Sequence, residues 1–129
     1  PATALTELIV PGTQVGDRCA EWAAQSHSLS SLSLAATLIS DEGLAHLGKL
    51  PHLAEFNLAA CPNISPEGMR HLEGLAVLNY LAMSSSTVTA SSIESFQRLP
   101  GLRTIAVVGA IPDSGLQETL ERHWEFVQR

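Results

Sequence analysis

Leucines recur along the chain at Leu5, Leu29, Leu53, Leu78 and Leu102, with spacings of 24, 24, 25 and 24 residues. Self-similarity at a fixed period of this size is the mark of a repeat array. Within each unit the apolar positions repeat as well: Leu5, Leu8, Val10; Leu29, Leu32, Leu34; Leu53, Phe56, Leu58; Leu78, Leu81, Met83; and Leu102, Ile105, Val107. The period-two spacing of each last pair predicts a short strand with one buried face. The later half of each unit has helical spacing, clearest in Leu44, Leu47, Leu50, in Met69, Leu72, Leu75 and in Ile93, Phe96, Leu99, so one apolar stripe per short helix is expected. Ser40 ahead of Asp41 and Glu42 suits a helix N-cap, and Ser65 followed by Pro66 and Glu67 suits one better, because proline loses no needed hydrogen bond at the first helical position. Pro51, Pro62, Pro100 and Pro112 then fall in connections or at element starts.

One strand and one short helix cannot bury their apolar surfaces alone. Successive units therefore stack laterally, their strands forming a parallel sheet. At roughly 4.8 Å between strands, five units advance only about 20 to 25 Å, a short block.

Composition narrows the role. The chain has 129 residues, enough for one domain, and 45% of them are hydrophobic. Seven basic against 13 acidic residues give a formal net charge of -6, and Lys49, Arg70, Arg98, Arg103 and Arg122 stand singly. That balance argues against nucleic acid or an anionic membrane surface as partner. No run of 18 apolar residues suggests a membrane span. Cys19 and Cys61 make neither a disulfide framework nor a zinc-ligand pair, which is compatible with a reducing, intracellular compartment.

A second element recurs in the connecting halves: Ile39-Ser40-Asp41-Glu42-Gly43-Leu44, Ile64-Ser65-Pro66-Glu67-Gly68-Met69 and Ile111-Pro112-Asp113-Ser114-Gly115-Leu116, with weaker relatives at Val15 to Ala20 and Val88 to Ile93. With the spaced leucines, this resembles leucine-rich repeats of the type that carries an Ile-Thr-Asp-x-Gly-Leu signature and short convex helices. The resemblance covers roughly residues 5 to 116. It implies an α/β fold, a short leucine-rich-repeat solenoid with parallel β-strands on the concave face and short helices on the convex face. It also implies a non-catalytic protein-protein interaction domain, a scaffold that presents a concave surface to a protein or peptide. In the family's interior Asn or Cys slot stand Thr13, Thr37, Cys61 and Ser86, with Gly109 and Ala110 departing from the pattern in the last unit. Cys61 is thereby expected as a ladder residue, hydrogen-bonded to turn backbone, rather than a reactive thiol.

The ends deviate from the repeat. Leu116, Leu120, Trp124 and Val127 make a helical stripe, so a capping helix is expected over 116–129, with Leu120, Trp124 and Val127 closing the core. Ahead of Leu5 only Pro1 to Ala4 remain and no N-terminal cap is visible, which suggests one domain cut from a longer protein, or an adjoining chain or domain that covers this edge. The alternative function rests there: a structural or targeting segment of a larger enzyme or ubiquitin-ligase-like assembly, in contact through its uncapped first repeat.

In the architecture the resemblance implies, residues between the inward leucines face the concave side. One lane holds Ile9, Ser33, Asn57, Ala82 and Ala106; another holds Glu7, Ser31, Glu55, Tyr80 and Thr104; a third holds Pro11, Ala35, Ala59, Ser84 and Val108. These mostly small residues let another protein's backbone come close. Tyr80 is the best anchor, adding aromatic area and a hydroxyl at modest entropy cost. Glu7 and Glu55 suit a basic side chain of a partner, or ordinary solvation.

Enzyme readings find less support. There is no phosphate loop with its lysine, no serine elbow and no paired-histidine helix motif. Gly43, Gly68 and Gly115 recur once per repeat, which gives them a structural explanation. His46 and His71 occupy equivalent places, but two imidazoles make an incomplete metal site even with Glu42, Glu67 or His52 recruited, so no metal and no cofactor are assigned. Cys19 with His27 supplies residue types without a positioned constellation.

Overall fold

A computed structural model of the chain describes residues 5–10 and 14–129. Six strands lie in one parallel sheet in sequence order: β1 (Glu7–Ile9), β2 (Ser31–Ser33), β3 (Glu55–Asn57), β4 (Tyr80–Ser84), β5 (Thr104–Val108) and β6 (Glu125–Gln128). Between them run α1 (Asp17–Ala23), α2 (Asp41–Leu47), a 3₁₀ helix (Glu67–Gly74), a 3₁₀ turn (Ser85–Thr87), α3 (Ala90–Gln97) and α4 (Ser114–His123). The result is an α/β domain of the solenoid kind, each unit resting on its sequence neighbours. Its inward positions follow the leucine spacing, pairing Leu8 with Leu32, Leu32 with Phe56, Phe56 with Leu81 and Leu81 with Ile105. They meet the helical residues Leu44, Leu47, Met69, Leu72, Ile93 and Phe96 in one core. Phe56 and Phe96 are its largest fully buried side chains. Burying such a side chain contributes about 1.5–3 kcal/mol, so the apolar seam between sheet and helices dominates stability.

The third helical segment is 3₁₀ rather than α. Met69, Leu72 and Leu75 are three residues apart, and in a helix of three residues per turn they fall on one line facing the core, where all three are buried. Leu44 and Leu47 have the same spacing inside an α-helix, so spacing alone does not choose between the two.

A polar link between units accompanies the apolar one. The Asp17 carboxylate accepts from the backbone N–H (2.8 Å) and hydroxyl (2.6 Å) of Ser40, one unit on. Asp41 repeats this with Ser65, at 2.9 and 2.5 Å. Each serine oxygen in turn accepts a backbone N–H of its own helix start, Glu42 for Ser40 and Gly68 for Ser65. The aspartates come so close that a Cβ on Gly43 would stand 2.5 Å from Asp17 Oδ1, and one on Gly68 would overlap the Asp41 carboxylate. Glycine there leaves room for a neighbour's carboxylate, which any side chain would have to displace, beyond the general turn freedom expected of it. In the next unit Pro66 occupies the aspartate's place, so the α3 start receives no such carboxylate. Ser92 stands at the glycine position instead, and closes a capping box with Thr89.

The turns after β2, β3 and β5 share a left-handed residue, Ala36 (φ 59°), Ala60 (φ 58°) and Gly109 (φ 101°). Beside these turns Thr37 Oγ1 donates to Leu34 O at 2.7 Å and Cys61 Sγ to Leu34 O at 3.1 Å. In the fourth unit the expected Ser86 does not take this place. The 3₁₀ turn shifts the chain by one residue, leaving Ser86 exposed, while Thr87 is buried and donates to Ser84 O at 2.7 Å. Thr13 and Pro11 lie outside the described residues.

The C-terminal end also differs from the expected helix over 116–129. α4 stops at His123, Trp124 is extended (φ −138°), and β6 pairs with β5, setting Phe126 beside Ile105 and Val127 beside Ala106. The physical reason is Phe126. A helix stripe through Leu120, Trp124 and Val127 leaves Phe126 off the core side, whereas a strand turns both Trp124 and Phe126 against the core. Trp124 meets Phe96 edge-on, with ring centroids 6.3 Å apart. Leu120, at the last turns of α4, is fully buried.

Candidate functional site

Because strand side chains alternate, the residues flanking the inward row share the sheet face turned away from the helices. The register sets Glu7 beside Ser31, Ser31 beside Glu55, Glu55 beside Tyr80, Tyr80 beside Thr104 and Thr104 beside Glu125. A second row runs Ile9, Ser33, Asn57, Ala82, Ala106 and Val127. Glu125 and Val127 enter these rows through β6, and sequence reasoning missed them by taking residues 116–129 as one helix. The one hint in the sequence was Phe126, an apolar residue that a helix through Leu120, Trp124 and Val127 leaves off the core side.

Along this face the residues differ in what they offer. Ile9 is 66% exposed on β1, an edge strand. Glu7, Glu55 and Glu125 are exposed, and Ser31, Ser33, Tyr80 and Thr104 are half-buried. Ala82 and Ala106 retain only 4% and 2% of their surface. Their methyl groups, between Asn57 on one side and Val127 on the other, form a floor rather than reachable contacts. Asn57 is committed in part to its own turn, its Oδ1 accepting the Ala59 N–H at 3.0 Å. Val108, of the third row, is exposed, while Ser84 accepts the Ala60 N–H at 2.6 Å.

A recess of about 200 Å³ crosses β1 to β4 on this face, with Ile9, Ser31, Ser33, Glu55, Asn57 and Tyr80 around it. The ion pairs among the described residues are His46 with Glu21 (3.6 Å) and Arg98 with Glu73 (3.4 Å), both on the helical side, so neither involves the sheet-face carboxylates. In the two rows no basic residue accompanies Glu7, Glu55 and Glu125. The face therefore presents uncompensated negative charge beside an apolar-walled hollow.

Among the described residues no three histidine, cysteine or acidic side chains are grouped as a metal site would need, and His46 lies against Glu21 instead. Burial pushes the Cys19 thiol up, away from the thiolate a nucleophile requires. No helix among the described residues is long and apolar enough to cross a membrane. No protein-family model matches the chain, and no curated protein does.

Proposed function

We propose that the chain is a leucine-rich-repeat binding module without catalytic chemistry, and that it holds a protein or peptide against the open face of its sheet. The observation that carries this reading is the in-register gathering of Ser31, Glu55, Tyr80 and Ile9 around one recess, with Glu7 in the same row, where no ion pair among the described residues engages the carboxylates. A rigid sheet with small floor residues lets a partner's backbone approach closely while Tyr80 and Ile9 supply contact area. The test is affinity capture from native lysate with the wild-type chain and a Ser33→Trp/Tyr80→Ala variant that fills the recess and removes its anchor. Loss of one partner with unchanged circular dichroism and melting supports the reading. Equal capture by both contradicts it.

A second reading has an observation of its own. At the β1 edge Leu5, Leu8 and Val10 are only partly buried, whereas their counterparts Leu29, Leu32 and Leu34 are at most 1% exposed. A structural or targeting segment that docks through this edge, within a larger enzyme or ubiquitin-ligase-like assembly, accounts for that difference. It predicts that an adjoining chain raises the melting temperature with the logarithm of its concentration once that exceeds the dissociation constant. Unchanged melting at saturating concentrations excludes that chain as the edge's partner.

A further inference from the structure

Resting on the proposed use of the open face, the geometry points to a particular chemistry for its occupant. We infer that the recess takes an arginine side chain from an extended segment of a partner protein, with the guanidinium stacked on the Tyr80 ring and its edge donating to the Glu55 carboxylate.

The recess is the first ground for this. At about 200 Å³ it is smaller than the pockets that enclose small-molecule ligands, which hold about 300–1,000 Å³. It suits one long side chain. Its position is the second ground: Glu55 and Tyr80 are register partners on adjacent strands, roughly 4.8 Å apart in backbone. A planar cation lying over this pair can rest its face on the Tyr80 ring while its edge donates to the Glu55 carboxylate. Arginine makes both contacts with one group, while lysine offers a compact, strongly hydrated charge. The third ground is the wall: the aliphatic stem of arginine lies along Ile9 while its head reaches Glu55. Finally, Glu7 stands two strands from Glu55 in the same row, and the whole chain carries a formal net charge of -6. A basic segment is drawn to this face, and an acidic one repelled.

The probe is a synthetic pool of short peptides with a fixed arginine between randomised neighbours, titrated onto the immobilised whole chain. Sister pools replace that arginine with citrulline, lysine or glutamate. The arginine pool is expected to bind at least about tenfold more tightly than the citrulline pool, the scale of a hydrogen bond to a charged group. Lysine is expected between the two and glutamate last. Glu55→Gln is expected to remove most of the preference for arginine over citrulline, and Ser33→Trp to remove binding, each with unchanged melting. Equal binding of the arginine and citrulline pools, a preference that survives Glu55→Gln, or no binding by any pool overturns the arginine assignment. If peptides bind without charge preference yet are lost in Ser33→Trp, the open face stands and the arginine falls. Arginine-dependent binding that survives Ser33→Trp overturns both.

Discussion

The two sides of the sheet use polar residues in opposite ways. On the helical side Asp17 and Asp41 are hydrogen-bonded to the serine of the next unit, Thr89 and Ser92 cap each other, and Glu21 and Glu73 face His46 and Arg98. On the open side Glu7, Glu55 and Glu125 stand in a row without an ion pair among the described residues. A polar group held in an inter-unit bond works for the fold, and removing it leaves its partner unsatisfied. A solvated group on a rigid face is available to something else. The contrast separates residues whose loss lowers stability from residues whose loss lowers binding.

Single strands already contain both kinds of residue, which gives the strongest way to sharpen the contrast. In β3 Phe56 points into the core at 1% exposure, so Phe56→Ala is expected to cost about 3–5 kcal/mol in urea unfolding. A loss below about 1 kcal/mol breaks the claim that this row carries the fold.

Next in size is Gly68→Ala. The added Cβ meets the Asp41 carboxylate and drives it off Ser65, at a cost of about 1–3 kcal/mol. Asp41→Ala alone loses the same two bonds and is expected to cost about 1–3 kcal/mol. The Asp41→Ala/Gly68→Ala double variant then costs little more than Asp41→Ala, since the clash has gone with the carboxylate. Strict additivity in that cycle contradicts the inter-unit link.

A smaller effect of opposite sign is expected at the turns. Ala36 adopts a left-handed conformation that costs a side-chain residue about 1–2 kcal/mol, partly offset for glycine by its greater unfolded-state freedom. Ala36→Gly is therefore expected to raise stability by up to about 1 kcal/mol, read as a higher melting temperature. A lower one breaks the account of these turns.

How far the sequence discloses all this varies by region. The leucine spacing yields the register of β1 to β5, because inward apolar residues recur at the same offset in every unit and period two then assigns the outward rows. It does not yield β6, since Leu120, Trp124 and Val127 satisfy helical spacing and only packing against Phe96 and Ile105 decides for a strand. Likewise Ser86 and Thr87 are neighbours of similar chemistry, and a 3₁₀ turn selects the second. The aspartate link was partly legible: Gly43 and Gly68 follow units that carry Asp17 and Asp41, and Ser92 follows the unit where Pro66 takes that place. Gly115 departs from this rule, and its N–H instead donates to Asp113 of its own helix start, at 2.8 Å. For the open face, the sequence supplies Tyr80, Glu7 and Glu55 as candidates, while the recess that Tyr80 and Glu55 line requires the strands to be in place. Ala82 and Ala106 read as contacts in sequence because small residues invite approach, yet their neighbours shade them.

The division between the two faces is tested most directly by thermal melting of two charge-removing variants side by side, Asp41→Asn and Glu55→Gln. A clear drop in melting temperature is expected for Asp41→Asn, whose carboxylate holds Ser65, and none for Glu55→Gln, whose carboxylate has no ion-pair partner among the described residues. A comparable drop in both variants contradicts that division, because Glu55 would then serve the fold and the open face would hold no free charge for a partner.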